Sequence, residues 1–132
     1  MITREKEAAA FIAVGTSAAA VHFLIVWLLV HWTDVSPAWA NVPAFWIAFA
    51  VSYSGHNRLT FAGRSDSRQR SILRWMVVSI GGFLLNQLLY VSALRLLADI
   101  HYLILLFIVT CMVTLVTYFL GKYWAFTGSQ AQ

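Results

Sequence analysis

The sequence predicts an all-α membrane protein: four transmembrane helices arranged as two parallel-repeated helical hairpins, with both termini cytoplasmic. Three observations predict it. The 132 residues are 61% hydrophobic and 11% charged, whereas a soluble domain carries about 25% charged residues. Four windows contain no Asp, Glu, Lys or Arg: Ala8 to Trp32, Val35 to Asn57, Trp75 to Leu94 and Ile100 to Gly121. Five of the nine Lys/Arg residues fall in one stretch, Ser52 to Arg74, between the second and third windows. So few charges cannot coat a water-facing surface of this size.

The chain opens with a short polar arm, residues 1–7 (MITREKE). A helix needs about 20 residues to cross a hydrocarbon core of about 30 Å, and each window supplies that length. An isolated strand or loop could not cross, because its backbone groups would lack partners in lipid. Helices are expected at about 8–31, 37–57, 72–94 and 101–123, in one membrane domain over 8–128 with a tail at 129–132. The apolar run of the first helix is far longer than the core of a cleaved signal peptide, so it is read as a span despite Ala18-Ala19-Ala20. Ser36-Pro37 places an N-cap and a first-turn proline at the start of the second helix, and Ser71 stands before the third. Trp32, Trp39, Trp75, Tyr102, Tyr123 and Trp124 fall near helix ends, where amphipathic rings suit the headgroup level.

Loop charges give the orientation. The N-terminal arm holds Arg4 and Lys6, and the central loop holds Arg58, Arg64, Arg68, Arg70 and Arg74. The first loop has no Lys or Arg, the third has Arg95, and Lys122 lies at the C-terminal end. By the positive-inside rule, both termini and the central loop face the cytoplasm. The net charge of +4 therefore belongs to a membrane loop and points away from nucleic acid. The single Cys111 cannot close an intrachain disulfide, so cysteine use leaves the redox compartment unread.

The two halves repeat. Asp34, Ser52, Tyr53, Phe61 and Gly63 recur 65 positions later as Asp99, Thr117, Tyr118, Phe126 and Gly128. With one residue gapped, His22 falls opposite Asn86. Two spans per unit give both copies the same orientation, a parallel repeat.

Several residues carry a resemblance. They are Val14-Gly15 and His22 in the first helix, Asn41, Phe45 and Phe49 in the second, and Asn57-Arg58 with Thr60-Phe61 after it. The second half contributes Gly81-Gly82, Asn86 and Lys122-Tyr123-Trp124-Ala125-Phe126. This pattern, over roughly Phe11 to Phe126, resembles the GtrA-like family of small four-helix bacterial membrane proteins. The chain departs from it at Thr117, where Asn is common, at Lys122, where Arg stands, and at His22, where an acidic residue is frequent. The resemblance implies a role in cell-surface polysaccharide synthesis. Such proteins are thought to move polyprenyl-phosphate-linked sugars across the bacterial cytoplasmic membrane. Some are regarded as helpers of polyprenyl-phosphate glycosyltransferases.

The residues suggest how such a task divides. Arginine grips phosphate oxygens with a planar donor fork and stays charged. Arg58 and Lys122 hold equivalent places in the two repeats, so they, with Asn57 and Arg74, are the expected lipid-phosphate ligands. Arg64, Arg68 and Arg70 are expected to set topology and meet anionic lipid. His22, Asn41, Asn86 and Gln87 are polar residues inside the windows, expected to face the bundle interior and to form a sugar path; the alternative is hydrogen bonding between helices. Asp34 and Asp99, with His31, Arg95 and His101 nearby, are expected to be solvated loop groups. The runs Gly15 to Ala20 and Ser79 to Gly82 are expected to allow close helix packing. Phe45, Phe49 and Tyr53 at helical spacing are expected to be a packing or lipid-facing stripe.

No carboxylate pair, nucleophile arrangement, metal spacing or nucleotide loop appears in the sequence, so no enzyme, metal or cofactor is expected. Two rival readings stand beside the flippase: a non-transporting subunit that docks a glycosyltransferase or presents its lipid-linked substrate, and a small multidrug transporter. The second relies on an embedded Glu in the first helix, where this chain has only Glu5 and Glu7 at its start. A homo-oligomer is considered because four helices make a narrow path.

Overall fold

The computed structural model describes residues 4–55, Arg58 and residues 67–120. Asn57, Arg64 and Lys122 lie outside the described residues. Four helices follow in order: α1 (Arg4–Trp32), α2 (Pro37–Gly55), α3 (Ser67–Leu96) and α4 (Tyr102–Leu120). The chain divides into two compact units, Met1–Gly63 and Arg64–Gln132. In the first α1 packs against α2, and in the second α3 packs against α4.

Both first helices begin before the charge-free windows. α1 takes in the arm from Arg4, and α3 starts at Ser67 and runs through Ser71. A window defined by absent charge marks the lipid-compatible length, and a helix can continue past it wherever water or headgroups solvate its charges. The sequences REKEAAA and RQRS contain mostly good helix formers. At 1.5 Å per residue, the 29 residues of α1 and 30 of α3 span about 45 Å, against about 28 Å for the 19-residue α2 and α4.

Among the described residues, three helices are long and apolar enough to cross a membrane: Ala8–Trp32 in α1, Met76–Leu96 in α3 and Tyr102–Leu120 in α4. α2 has the length and carries no charge, but Pro37, Asn41, Pro43, Ser52 and Ser54 lower its hydropathy. The proline at 43 removes one backbone bond, to Trp39, in the first half of the helix.

The buried positions repeat. α1 buries Val14, Ala18, His22 and Val26; α3 buries Val78, Gly82, Asn86 and Tyr90, each 64 positions on. These are one face of a helix, four residues per step. α2 buries Ala40, Asn41, Ala44 and Ala48; α4 buries Leu105, Leu106, Val109 and Val113, each 65 positions on. The extra residue therefore lies in the connection, which spans 33–36 in the first unit and 97–101 in the second. The alanines of α2 at i, i+4 and i+8 let α1 approach closely.

Both connections are tied locally. The Thr33 backbone N–H donates to the Leu29 carbonyl, and Val35 N–H donates to Thr33 Oγ1 at 3.3 Å. Ala40 N–H donates to the Ser36 carbonyl at 2.9 Å, so α2 starts where Ser36-Pro37 places it. In the second unit the cap is a histidine. Leu103 N–H donates to His101 Nδ1 at 3.2 Å, and the His101 carbonyl accepts from Ile104 and Leu105. The fully buried Tyr90 donates its hydroxyl to the Tyr102 carbonyl at 3.1 Å, joining α3 to the first turn of α4.

Candidate polar site within the helices

His22 sits on the buried stripe of α1, and its ring contacts α2. His22 Nε2–H donates to Asn41 Oδ1 at 2.7 Å, with His22 8% and Asn41 0% exposed. In lipid no water replaces a missing partner, so the pair satisfies two groups that would otherwise be costly to bury. The ring of Phe23 lies 6.0 Å from that of His22.

Asn86 plays the corresponding part in the second unit. It is 6% exposed, and its Nδ2 donates to Thr110 Oγ1 at 3.3 Å. The position equivalent to Asn41 is Leu106, so the α4 partner has moved one turn along the helix. Among the described residues, every buried side-chain nitrogen and oxygen has a partner. Gln87, half-buried, lies 100° around α3 from Asn86 and makes contacts of its own.

The structure thus brings His22 to Asn41, and gives Asn86 a partner, Thr110, outside the expected site residues. Thr110 was visible as a polar residue in the Ile100 to Gly121 window. Its role was not, because a single Thr in a span usually bonds to its own backbone. Of the expected phosphate ligands, Arg58 and Arg74 are described and both are exposed; Arg74 has a further interaction. Asn57 and Lys122 fall outside the described residues. The end of α2 before Arg58 is held against α1, since a Cβ added to Gly55 would lie 2.7 Å from Val14 Cγ1.

Other polar groups are spoken for or open to the surroundings. His31 stacks on Trp27 at 5.1 Å and 8°, and His101 stacks on Tyr102 at 4.5 Å and 27°. Asp34 and Asp99 are exposed. On α2, the rings of Phe45 and Phe49 are 6.0 Å apart, and those of Phe49 and Tyr53 are 6.4 Å apart, both stacked. Only part of each small-residue run packs closely. A Cβ on Gly82 would lie 2.7 Å from Thr117 Cγ2, whereas Gly15 and Gly81 have nothing within 4 Å.

Long apolar helices with a few polar residues buried and mutually bonded define a small all-helical, multi-pass membrane protein. More narrowly, the chain belongs to the GtrA/DPMS transmembrane-domain family, whose model matches residues 10–126. That match covers both units, including every buried polar residue described above. No curated protein and no solved structure matches the chain.

Proposed function

We propose that this protein moves a polyprenyl-phosphate-linked sugar across the bacterial cytoplasmic membrane for cell-surface polysaccharide or glycolipid synthesis. Membership of the GtrA/DPMS transmembrane family is the observation that carries the reading. In this reading all four helices cross, α2 included: it has 19 residues, no charge, and a buried face matched to α1. The basic residues at 58, 64, 68, 70 and 74 put the connection between the units, and both termini, in the cytoplasm. The two hairpins then run in parallel.

Arg58 and Lys122, together with Asn57 and Arg74, are the residues this reading assigns to the lipid phosphate at the cytoplasmic headgroup level. The sugar crosses along the polar side of the helices, and the polyprenyl tail stays in lipid. His22, Asn41, Asn86 and Gln87 are the polar positions assigned to that path, and His22 and Asn41 also hold α1 to α2. The protein acts without a metal, a cofactor or chemistry of its own. A membrane glycosyltransferase uses the delivered sugar, and a second copy of the chain completes the wall.

A second reading has support in the same family description, which covers a transmembrane domain named for DPMS as well as GtrA. There the chain docks a glycosyltransferase or presents its lipid substrate. Reconstitution separates the two. Purified protein in liposomes with a polyprenyl-phosphate hexose is expected to raise the rate at which the sugar becomes accessible from the opposite side. Lipid binding with a flip rate equal to that of empty liposomes supports the docking subunit instead.

A further inference from the structure

The two units keep the same buried positions and differ in the stripe beside them. On α2 that stripe is Phe45, Phe49 and Tyr53, stacked ring on ring. The residues 65 positions on are Thr110, Thr114 and Tyr118 on α4. Two aromatic rings have become two hydroxyls, while the tyrosine that ends each stripe is unchanged. One turn beyond Thr114, Thr117 answers Ser52.

The α4 hydroxyls are arranged in a particular sense. Thr114 Oγ1 donates to the Thr110 carbonyl at 2.7 Å, and Thr117 Oγ1 donates to the Thr114 carbonyl at 3.1 Å. A hydroxyl has one proton to donate and two lone pairs to accept with. With their protons committed to carbonyls, Thr114 and Thr117 present acceptor oxygens. Thr110 Oγ1 already acts as an acceptor, toward Asn86 Nδ2. Positions 110, 114 and 117 share one helix face, over about 10 Å of axis. Thr114 is exposed, and Thr110 and Thr117 are half-buried along the seam with α3, where Thr117 rests on Gly82.

Backbone bonding takes up the protons of the Thr114 and Thr117 hydroxyls and leaves their lone pairs. The result is a row of acceptor oxygens, joined through Thr110 to a buried Asn, at positions where the duplicated helix carries stacked rings. We propose that Thr110, Thr114 and Thr117, with Asn86, form a carbohydrate-binding row on the α3–α4 seam. It takes the O–H donors of a polyhydroxylated headgroup. This rests on the reading of the chain as a carrier of lipid-linked sugar, and it assigns the sugar rather than the phosphate. A row of oxygen acceptors is matched to hydroxyl protons and is unfavourable for an anion, whose oxygens also accept.

The test uses the full chain in detergent and two probes: polyprenyl phosphate bearing glucose or mannose, and the same lipid without a sugar. Native mass spectrometry gives the affinity for each. The wild type is expected to prefer the sugar-bearing lipid. Thr114→Val keeps the shape and removes the oxygen; with Thr117→Val it is expected to cut that preference about tenfold, with sugar-free binding unchanged. Thr114→Ser is expected to keep it. Thr114 is exposed and Val keeps the methyl that Thr117 rests on Gly82, and wild-type melting temperatures for the single and double Val variants check that they fold. An unchanged preference in the Val variants, or no preference in the wild type, overturns the row and leaves phosphate binding standing. Failure of the wild type to bind either lipid overturns both the row and the carrier reading.

Discussion

His22 and Asn41 are 19 residues apart in sequence and 2.7 Å apart in the folded chain. This bond is a polar link between α1 and α2, and it sits in a stripe otherwise made of Val, Ala and the alanines of α2. Asn41→Leu leaves the His22 Nε2–H without its acceptor and is expected to cost about 1–3 kcal/mol. His22→Leu alone costs a similar amount. The double variant is expected to cost less than the two together, because neither polar group is then stranded. The coupling from such cycles in membrane helices averages about 0.6 kcal/mol and reaches about 1.7. Unfolding in mixed SDS micelles measures all four chains, and strict additivity would show that the bond contributes nothing.

Adjacent glycines in α3 should behave in opposite ways. A Cβ at Gly82 meets Thr117 Cγ2 at 2.7 Å, and one at Gly81 meets nothing within 4 Å. Thr117 is β-branched and stiff at χ1, so Gly82→Ala is expected to destabilise by about 1–3 kcal/mol through overpacking. Gly81→Ala is expected to stabilise by about 0.5–1 kcal/mol, the usual helix-interior advantage of Ala over Gly. Thr117→Ala should restore Gly82→Ala toward wild type. Melting temperatures in detergent test the order, and equal effects at 81 and 82 would show that the seam is not tightly packed.

The same comparison applies in the first unit. Gly55 faces both methyls of Val14, at 2.7 and 2.9 Å, while Gly15 is open. Gly55→Ala therefore pushes the end of α2 away from α1, just before Arg58. It is expected to lower stability by about 1–3 kcal/mol and, if Arg58 holds phosphate, to weaken lipid-phosphate binding as well. Gly15→Ala, with nothing within 4 Å, should leave lipid binding unchanged and stabilise by about 0.5–1 kcal/mol, as at Gly81. A Gly55→Ala chain with wild-type melting would mean that α2 is not held there.

How much of this was legible depended on which physical signal each residue sends. Charge-free windows report the lipid-compatible parts of the helices, and the Ser36-Pro37 pair gives the start of α2 at Pro37. The windows could not report that α1 and α3 continue through Arg4–Glu7 and Ser67–Arg74, since charge is compatible with helix outside hydrocarbon. His22, Asn41 and Asn86 stood out because buried polar groups are costly in apolar spans. Their partners did not, because pairing is set by the rotation of one helix against another: Asn41 met His22, while Asn86 met Thr110 one turn beyond the equivalent of Asn41. The glycine runs suggested close packing in general. Only the geometry separates Gly82 from Gly81.

Arg58 and Arg70 are both exposed arginines of the basic stretch, and the phosphate-site reading treats them differently. Arg58→Gln removes a charge-assisted hydrogen bond worth about 1.5–3 kcal/mol, so polyprenyl-phosphate binding should fall about 10- to 100-fold. Arg70→Gln should change it little, because a headgroup-level charge contributes about 1 kcal/mol toward any anionic lipid. Equal losses in native mass spectrometry would show a diffuse basic surface in place of a site.

His101 caps α4 with a ring nitrogen, a task usually given to Ser, Thr, Asp or Asn. Its Nδ1 accepts the Leu103 N–H at 3.2 Å while its ring stacks on Tyr102, whose carbonyl in turn accepts the Tyr90 hydroxyl. Three consecutive contacts thus fix the turn between α3 and α4. His101→Ala exposes the first-turn donor and removes the stacked ring, at an expected cost of about 1 kcal/mol. His101→Asn restores an acceptor at the cap without the ring, so it should recover most of that loss if the cap dominates and little if the stacking does. Tyr90→Phe removes the third contact and should cost about 0.5–1.5 kcal/mol. Because His101 and Tyr90 act on the same turn, their combined variant is expected to depart from additivity. Strict additivity of His101→Ala and Tyr90→Phe in thermal unfolding would mean that cap and hydroxyl bond act independently.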